Sequence, residues 1–236
     1  MALACLLVAA WISYHYGKLS RAGAVAGLVV GGAIYLGAGW AGLGLLMAFF
    51  GLGIGTTFWK ARRKHLAGLL EGAGGVRGWR NVLANGGVAA LMGTLAVWIP
   101  ERETLFQLML GASLAAATSD TVSSELGNVY GRRYLDLRTG RLGERGQDGV
   151  VSPEGTLAGL LAAVAIGWLF LILFPGRWQA GMIVAGCGFG GNLVDSLLGA
   201  TWQRSGWLDN HLVNVLNTLA AALLAGIMGL LWPYWM

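Results

Sequence analysis

The sequence predicts an all-α integral membrane protein, a polytopic helical bundle of about eight transmembrane helices with glycine-rich packing. Three observations lead there. Of 236 residues, 56% are hydrophobic and only 11% are charged, against about 25% charged in a soluble globular domain. The apolar residues gather in runs able to cross about 30 Å of hydrocarbon, at roughly 2–16, 23–39, 41–59, 82–99, 104–127, 155–174, 178–202 and 211–232. The 40 glycines follow no collagen period; they recur at small-xxx-small spacing, as in Gly23, Gly27 and Gly31 and in Gly186 and Gly190, which lets membrane helices approach closely.

The first run lacks a basic n-region and a small-residue cleavage site, so it is expected as a short, retained first helix. The second and third runs are divided only at Gly39-Trp40, which leaves seven spans open beside eight. The fourth carries Asn85 a turn from its start, the fifth Asp120, the seventh Asp195 and the eighth Asn214 and Asn217. The sixth follows Ser-Pro-Glu-Gly-Thr, in which Ser152 before Pro153 suits a helix N-cap. The whole chain, 1–236, is expected to form one membrane domain with cytoplasmic loops at about 60–81 and 128–153. With eight spans, every one of the 16 lysines and arginines except Arg102 and Arg177 falls on one side. The positive-inside rule makes that side cytoplasmic and puts both termini outside, as in a bacterial inner membrane. The net charge of +5 therefore belongs to short loops near the inner leaflet of the lipid bilayer, and no nucleic-acid partner is expected. Cys5 and Cys187 lie in apolar segments and read as small hydrophobes. Nothing in the chain indicates an oligomeric state.

Asp120, in LMLGASLAAATSDTVSSELG, and Asp195, in GMIVAGCGFGGNLVDSLLGATWQ, each sit inside an apolar run. A charge at that depth costs about 2.5–3.5 kcal/mol on insertion scales, so it is retained where it faces a bundle interior or a polar cavity. Each aspartate is placed on the order of 10 Å below the cytoplasmic surface by its distance from the helix end. Asn85, Asn192, Asn214 and Asn217 fall in the same layer. One buried amide is usually an interhelical hydrogen bond; four amides converging with two carboxylates point to a site. Asp120 and Ser124 share a helix face, whereas Glu125 lies about 140° around the helix from Asp120 and is expected to meet a neighbouring helix or loop. Asn192, Asp195 and Ser196 cluster within a turn, with Gln203 near the exit.

Two carboxylates with amide and hydroxyl oxygens form a hard-oxygen set suited to Mg²⁺, which takes few carboxylates and completes its shell with substrate phosphates. No HExxH or Cys/His set for zinc is present. Arginine-rich loops over such an ion suit phosphoryl transfer, with a nucleotide from the cytoplasm and an acceptor phosphate on a lipid. Lys60, Arg77 and Arg80, at the mouths of the third and fourth spans, are placed to neutralise phosphates. Lys60 reads equally well as a snorkelling helix-end lysine, and Arg62, Arg63 and Lys64 read as topology determinants that touch anionic lipid. The glycines and arginines of the second loop suit a phosphate cradle. No Walker A, GxGxxG or kinase signature occurs.

The segments GTTFWKARRK, RNVLANGGVAA, AAATSDTVSSELG, VSPEGTLAG, GNLVDSLLGATWQ and HLVNVLN resemble, in order and wording, the polytopic family that includes plant chloroplast phytyl-phosphate kinase and animal transmembrane protein 19. The resemblance runs from about Gly23 onward. It implies phosphate transfer, with CTP as donor, to an isoprenyl monophosphate, giving the diphosphate. On that reading Asp120 and Asp195 hold Mg²⁺ and Lys60 and Arg80 act with them in catalysis. Asn85, Ser124, Glu125, Ser152, Asn192, Ser196, Gln203 and Asn214 contact substrate or nucleotide. The chain departs from the family at Asn81 and in GERGQDGVVS. Two other readings use the same residues. One is a proton- or cation-coupled transporter or lipid-phosphate flippase built on a parallel repeat around the two aspartates. The other is a cytidylyltransferase that leaves the nucleotide on the lipid.

Overall fold

The computed structural model describes residues 1–69, 75–176 and 178–232. Arg177 and residues 70–74 of the first long loop lie outside the described residues. Helices α1 (Ala2–His15), α2 (Arg21–Phe58), α3 (Ala61–Leu66), α4 (Trp79–Trp98), α5 (Glu103–Tyr130), α6 (Pro153–Leu173), α7 (Trp178–Leu198) and α8 (Asn210–Leu231) make up most of the chain. Among the described residues, five stretches are long and apolar enough to cross a membrane: α2, α4, α6, α8 and α7 extended through Gln203. The protein is a polytopic all-α membrane protein.

α2 decides whether the second and third apolar runs are one helix or two. Its 38 residues would run about 57 Å if straight, nearly twice the hydrocarbon thickness. At Gly39 the backbone takes φ 57° and ψ −148°, a region open essentially to glycine, and the chain folds back. A Cβ on Gly31 would lie 3.6 Å from Leu46. Lys18, just ahead of the first arm, sits with Nζ 3.2 Å from the ring centroid of Phe58 at the end of the second. The arms 21–38 and 40–58 are therefore an antiparallel pair, and with them the apolar helices match the eight expected runs. α1 is shorter than a span: 14 residues reach about 21 Å, less than the hydrocarbon core.

α5 is the axis of the bundle, packing against α2, α4, α6, α7 and α8. Leu108, Leu110, Ala112, Leu114 and Ala115–Ala117 are fully buried. Because α5 meets protein on all sides, it also carries the fully buried polar residues Ser113, Thr118 and Ser119, which lipid would not tolerate. Close approach comes partly from glycines other than those singled out by spacing. Gly37 and Gly93 leave no room for a Cβ at the α2–α4 crossing, and Gly188 packs on Ala115 of α5. Gly186 has nothing within 4 Å of an added Cβ and Gly190 only Leu224 at 3.7 Å. The expected Gly186/Gly190 stripe is therefore not the close contact, because it is Gly188 and Gly191 that α7 turns toward the bundle centre.

The polar loops meet at one end of the bundle. Arg77 accepts from Ser20 N–H and donates to Lys18 O through its backbone, Trp59 Nε1 donates to Tyr130 OH at 2.8 Å, and Arg80 pairs with Asp209. Three two-residue strands, β1 (Leu135–Asp136), β2 (Arg141–Leu142) and β3 (Val150–Val151), pair antiparallel in the order β2-β1-β3 and shape the loop between α5 and α6. Arg102 lies at the opposite end, in the 3₁₀ turn Pro100–Arg102, where Gln107 Nε2 donates to Gly37 O at 3.0 Å.

Candidate functional site

At the basic end, a cavity of about 600 Å³ opens between the helix ends and beneath the loop that precedes α6. α5 contributes Asp120, Ser124 and Glu125; α7 contributes Asn192, Asp195 and Ser196; α4 contributes Arg80, Asn81 and Asn85; α8 contributes His211 and Asn214. Gln203 and Ser152 complete the wall from the α7 end and the loop. The fold thus brings the candidate site residues to this cavity except Lys60, and Asn217 of the expected amide layer stands behind the wall rather than in it. Asp120 and Asp195 reach one cavity because both helices end at the same face, Asp120 ten residues before the end of α5 at Tyr130 and Asp195 eight residues before the π-helical turn that extends α7 ends at Gln203.

The cavity walls are held by a hydrogen-bond framework. Asn217, fully buried, donates from Nδ2 to Asp195 Oδ1 at 2.7 Å and so orients that carboxylate from behind. Asn192 Nδ2 donates to Ser119 Oγ at 3.1 Å, and Ser119 Oγ donates to Gly159 O at 2.9 Å, locking α7, α5 and α6 together. Ser196 Oγ donates to Asn192 O and Ser124 Oγ to Thr121 O, one turn back on their own helices. Ser152 Oγ accepts from Gly155 N–H at 3.1 Å as the N-cap of α6, the local role its sequence context predicts. Asn85 Nδ2 donates to Asn81 O, while its buried Oδ1 has no partner among the described residues. A buried acceptor left so costs about 1–3 kcal/mol, which marks this point of the wall as one that a ligand or its hydration shell would complete.

The cations distribute differently from expectation. Lys60 adopts a left-handed backbone (φ 49°) and lies exposed outside the cavity, its Nζ 4.4 Å from the Tyr130 ring centroid. Lys64, expected as a surface topology determinant, is fully buried. It donates to Thr56 O at 2.9 Å and Thr57 O at 2.5 Å and pairs with Glu125 Oε2 at 2.5 Å. The short helix α3 turns Lys64 back under the end of α2, where it caps open carbonyls and neutralises the Glu125 side of the cavity. Nothing in the run ARRKH distinguishes Lys64 from its neighbours, so only the turn of α3 could reveal it. Arg77 also lines the cavity, with its guanidinium carbon 5.8 Å from the Phe49 ring centroid.

α7 ends in a π-helical turn, Gly199–Gln203, a widening common at functional sites. Against it lies Gly149 (φ 70°), where an added Cβ would overlap the Ala200 backbone. Arg204 then clamps the loop: Nη1 donates to Asp136 Oδ2 at 2.7 Å and Nη2 to Asp148 O at 2.5 Å. The Arg204 hydrogen bond is the main cause holding the Asp136 carboxyl below the usual carboxylate range, with the Arg138 backbone N–H adding to it against desolvation.

Among the described residues, no three His, Cys, Asp or Glu side chains converge as a full metal cage. Two carboxylates from two helices in one oxygen-rich cavity are the set a hard cation accepts when substrate oxygens fill its remaining positions.

The family described as "Integral membrane protein DUF92" matches residues 4–222. The chain is 34% identical to an uncharacterised membrane protein of Methanocaldococcus jannaschii, over 90% of this chain and 85% of the relative. It is 34% identical to the chloroplast protein VTE6 of Arabidopsis thaliana, over 89% of this chain and 65% of that protein. It is 36% identical to an uncharacterised membrane protein of Synechocystis, over 84% of this chain and 78% of the relative. No solved structure matches it.

Proposed function

The chain belongs to the DUF92 family of integral membrane proteins, and on that footing we propose that it is a lipid-linked phosphotransferase. It moves the terminal phosphate of a nucleoside triphosphate, CTP as donor, onto an isoprenyl monophosphate held in the membrane. The observation that carries the reading is the single cavity in which two intramembrane carboxylates, Asp120 and Asp195, stand beside Arg77 and Arg80. The resemblance of DTVSSELG and DSLLGATWQ to the phytyl-phosphate kinase family supports the choice of acceptor, and these motifs hold the two aspartates.

Asp120 and Asp195 would hold Mg²⁺, which when bound neutralises charge on the donor phosphates. Asn217 fixes the Asp195 carboxylate, so less reorganisation is needed at the moment of transfer. Arg77 and Arg80 bind phosphate oxygens as charge-assisted donors. An oxygen of the acceptor monophosphate forms the new P–O bond as the donor's β–γ bridging bond breaks, and the electron pair leaves on the nucleoside diphosphate. That acceptor oxygen is anionic at neutral pH, so the site needs no general base; positioning and charge carry the rate. The loop around Gly149–Ser152 covers the cavity and excludes competing water. The basic end faces the cytoplasm by the positive-inside rule, and the donor enters there.

The transporter reading fits less well, because Asp120 and Asp195 both lie at the basic end, and away from the cavity α5 carries a buried apolar stretch, Leu108–Ala112, between Gln107 and Ser113. Incubating purified protein with Mg²⁺, each nucleoside triphosphate and a panel of prenyl monophosphates tests the proposal. Nucleoside diphosphate and prenyl diphosphate are expected in equal amounts. Release of pyrophosphate instead would make it a cytidylyltransferase, and no product from any pair would overturn the phosphotransfer reading.

A further inference from the structure

A second hollow, of about 90 Å³, lies between α1, the two arms of α2, and α4. Its walls are apolar: Leu6 and Ala10 of α1, Gly27, Leu46 and Phe50 of α2, and Gly86 of α4. Its polar lining is Ser13 of α1 with Arg77, Asn81 and Asn85, and the last three residues also line the polar cavity. The two spaces therefore share one wall. On one side is room for a charged head among arginine and amide groups; on the other is an apolar pocket on the membrane-embedded side. At the seam sit the Arg77 guanidinium, beside Phe49, and the buried Asn85 Oδ1, which has no partner among the described residues.

We propose that this hollow receives the proximal hydrocarbon of the acceptor, a single-chain isoprenyl monophosphate whose phosphate lies against Arg77 and Asn81. The proposal rests on the phosphotransferase reading for the choice of lipid. A nucleotide has no apolar part to bury there, whereas an amphiphile with one anionic head and one tail matches both compartments and the cation between them. Between Ala24 and Val30, both lining the hollow, the first arm of α2 rises about 9 Å, so the first isoprene units are enclosed. The rest of the tail passes into the bilayer beside α1, which packs chiefly on α2 and exposes Leu3, Leu7 and Val8. Hydrocarbon enclosed by Leu, Phe and Gly contacts is held by close packing, so the first isoprene units are read at this point.

Gly27 offers the test. A Cβ there would meet only Leu19, at 3.8 Å, so Gly27→Leu is compatible with the helix, favours it by propensity, and projects its side chain into the hollow. Ala10→Phe fills the same space from α1. Val29→Leu, on the exposed face of the same arm, is the control. Equilibrium binding of labelled geranylgeranyl monophosphate, isopentenyl monophosphate and phosphatidate is measured on full-length protein in nanodiscs, alongside nucleotide binding and phosphotransfer. Gly27→Leu and Ala10→Phe are each expected to weaken geranylgeranyl monophosphate binding at least tenfold and isopentenyl monophosphate, whose single isoprene unit fills less of the hollow, by less, leaving nucleotide binding at wild-type levels, and Val29→Leu is expected to change none of them. Wild-type preference for the long chain in both filled variants would overturn the assignment even if phosphotransfer proceeds. Loss of geranylgeranyl monophosphate binding on filling, in a protein that transfers no phosphate, would keep the pocket and remove the phosphotransferase reading instead. Tighter wild-type binding of phosphatidate, sensitive to the same substitutions, would overturn the isoprenyl occupant.

Discussion

Asp120 and Asp195 share a cavity, and Asn217 supports Asp195 directly from a buried position. If the pair holds Mg²⁺, either aspartate-to-asparagine change is expected to lower turnover by at least a hundredfold without unfolding the protein, because a neutral amide is cheaper to bury than a charge. Steady-state turnover together with thermal melting of each variant decides this, and near-wild-type rates in either would rule out a shared ion. Arg80 separates binding from stability. Its ion pair with Asp209 is roughly half exposed on both sides and is worth about 0–1 kcal/mol, so Arg80→Ala is expected to leave the melting temperature nearly unchanged. Its donor KM is expected to rise several-fold, and the salt dependence of the wild-type donor KM to flatten, since exposed phosphate contacts are screened within about 8 Å at physiological ionic strength. An unchanged donor KM would place Arg80 outside the phosphate site. Lys64 is the opposite case. Breaking a buried ion pair costs about 3–5 kcal/mol when the remaining charge is uncompensated; Glu125 keeps some solvent access, so Lys64→Met is expected to cost less than that but to lower the melting temperature clearly. Lys64→Met combined with Glu125→Leu is expected to recover part of the loss, and a single variant as stable as wild type would show that the pair does not support the fold.

At the scale of elements, the loop between α5 and α6 is fastened by the Arg204 clamp, the contact of Gly149 with Ala200, Tyr134 OH donating to Gly127 O and Gly131 O, and the three short strands. The clamp titrates. Because Arg204 holds the Asp136 carboxyl low in the folded loop, the ionised form is the one the fold favours. Its contribution is complete above the unfolded aspartate value of about 3.9 and is lost as pH falls through the lowered folded value. Hydrogen exchange of residues 134–151, corrected for intrinsic rates, is therefore expected to show constant protection from pH 8 to 5 and loosening only in stronger acid. Arg204→Ala is expected to show the loosened state already at pH 7, and unchanged protection in that variant would mean that the clamp does not hold the loop. The helices themselves were readable from sequence because an apolar run is a local property. The reversal inside α2 was readable only as a choice between seven and eight spans, since a glycine in a helix-length run is compatible with passage or with a turn, and contacts between residues such as Gly31 and Leu46 settle which.

For the whole molecule, the basic loops gather at one end of the bundle while Arg102 lies at the other. Single cysteines introduced near Arg63 and Arg141 are expected to react with an impermeant maleimide only from the cytoplasm, and one near Arg102 only from outside. Labelling of the first two from opposite sides would break the orientation drawn from the positive-inside rule. By itself, the sequence determined that the chain is a polytopic helical membrane protein, where its helices run, and that two carboxylates lie within them, because hydropathy, charge asymmetry and motif wording are written in consecutive residues. The tertiary structure alone decided that α5 is the sheltered axis, that Lys64 turns inward while Lys60 stays out, and that the polar cavity and the apolar hollow share Arg77, Asn81 and Asn85. Each of these depends on which surfaces of distant helices meet, and burial of a side chain is a property of that meeting rather than of its neighbours in the chain.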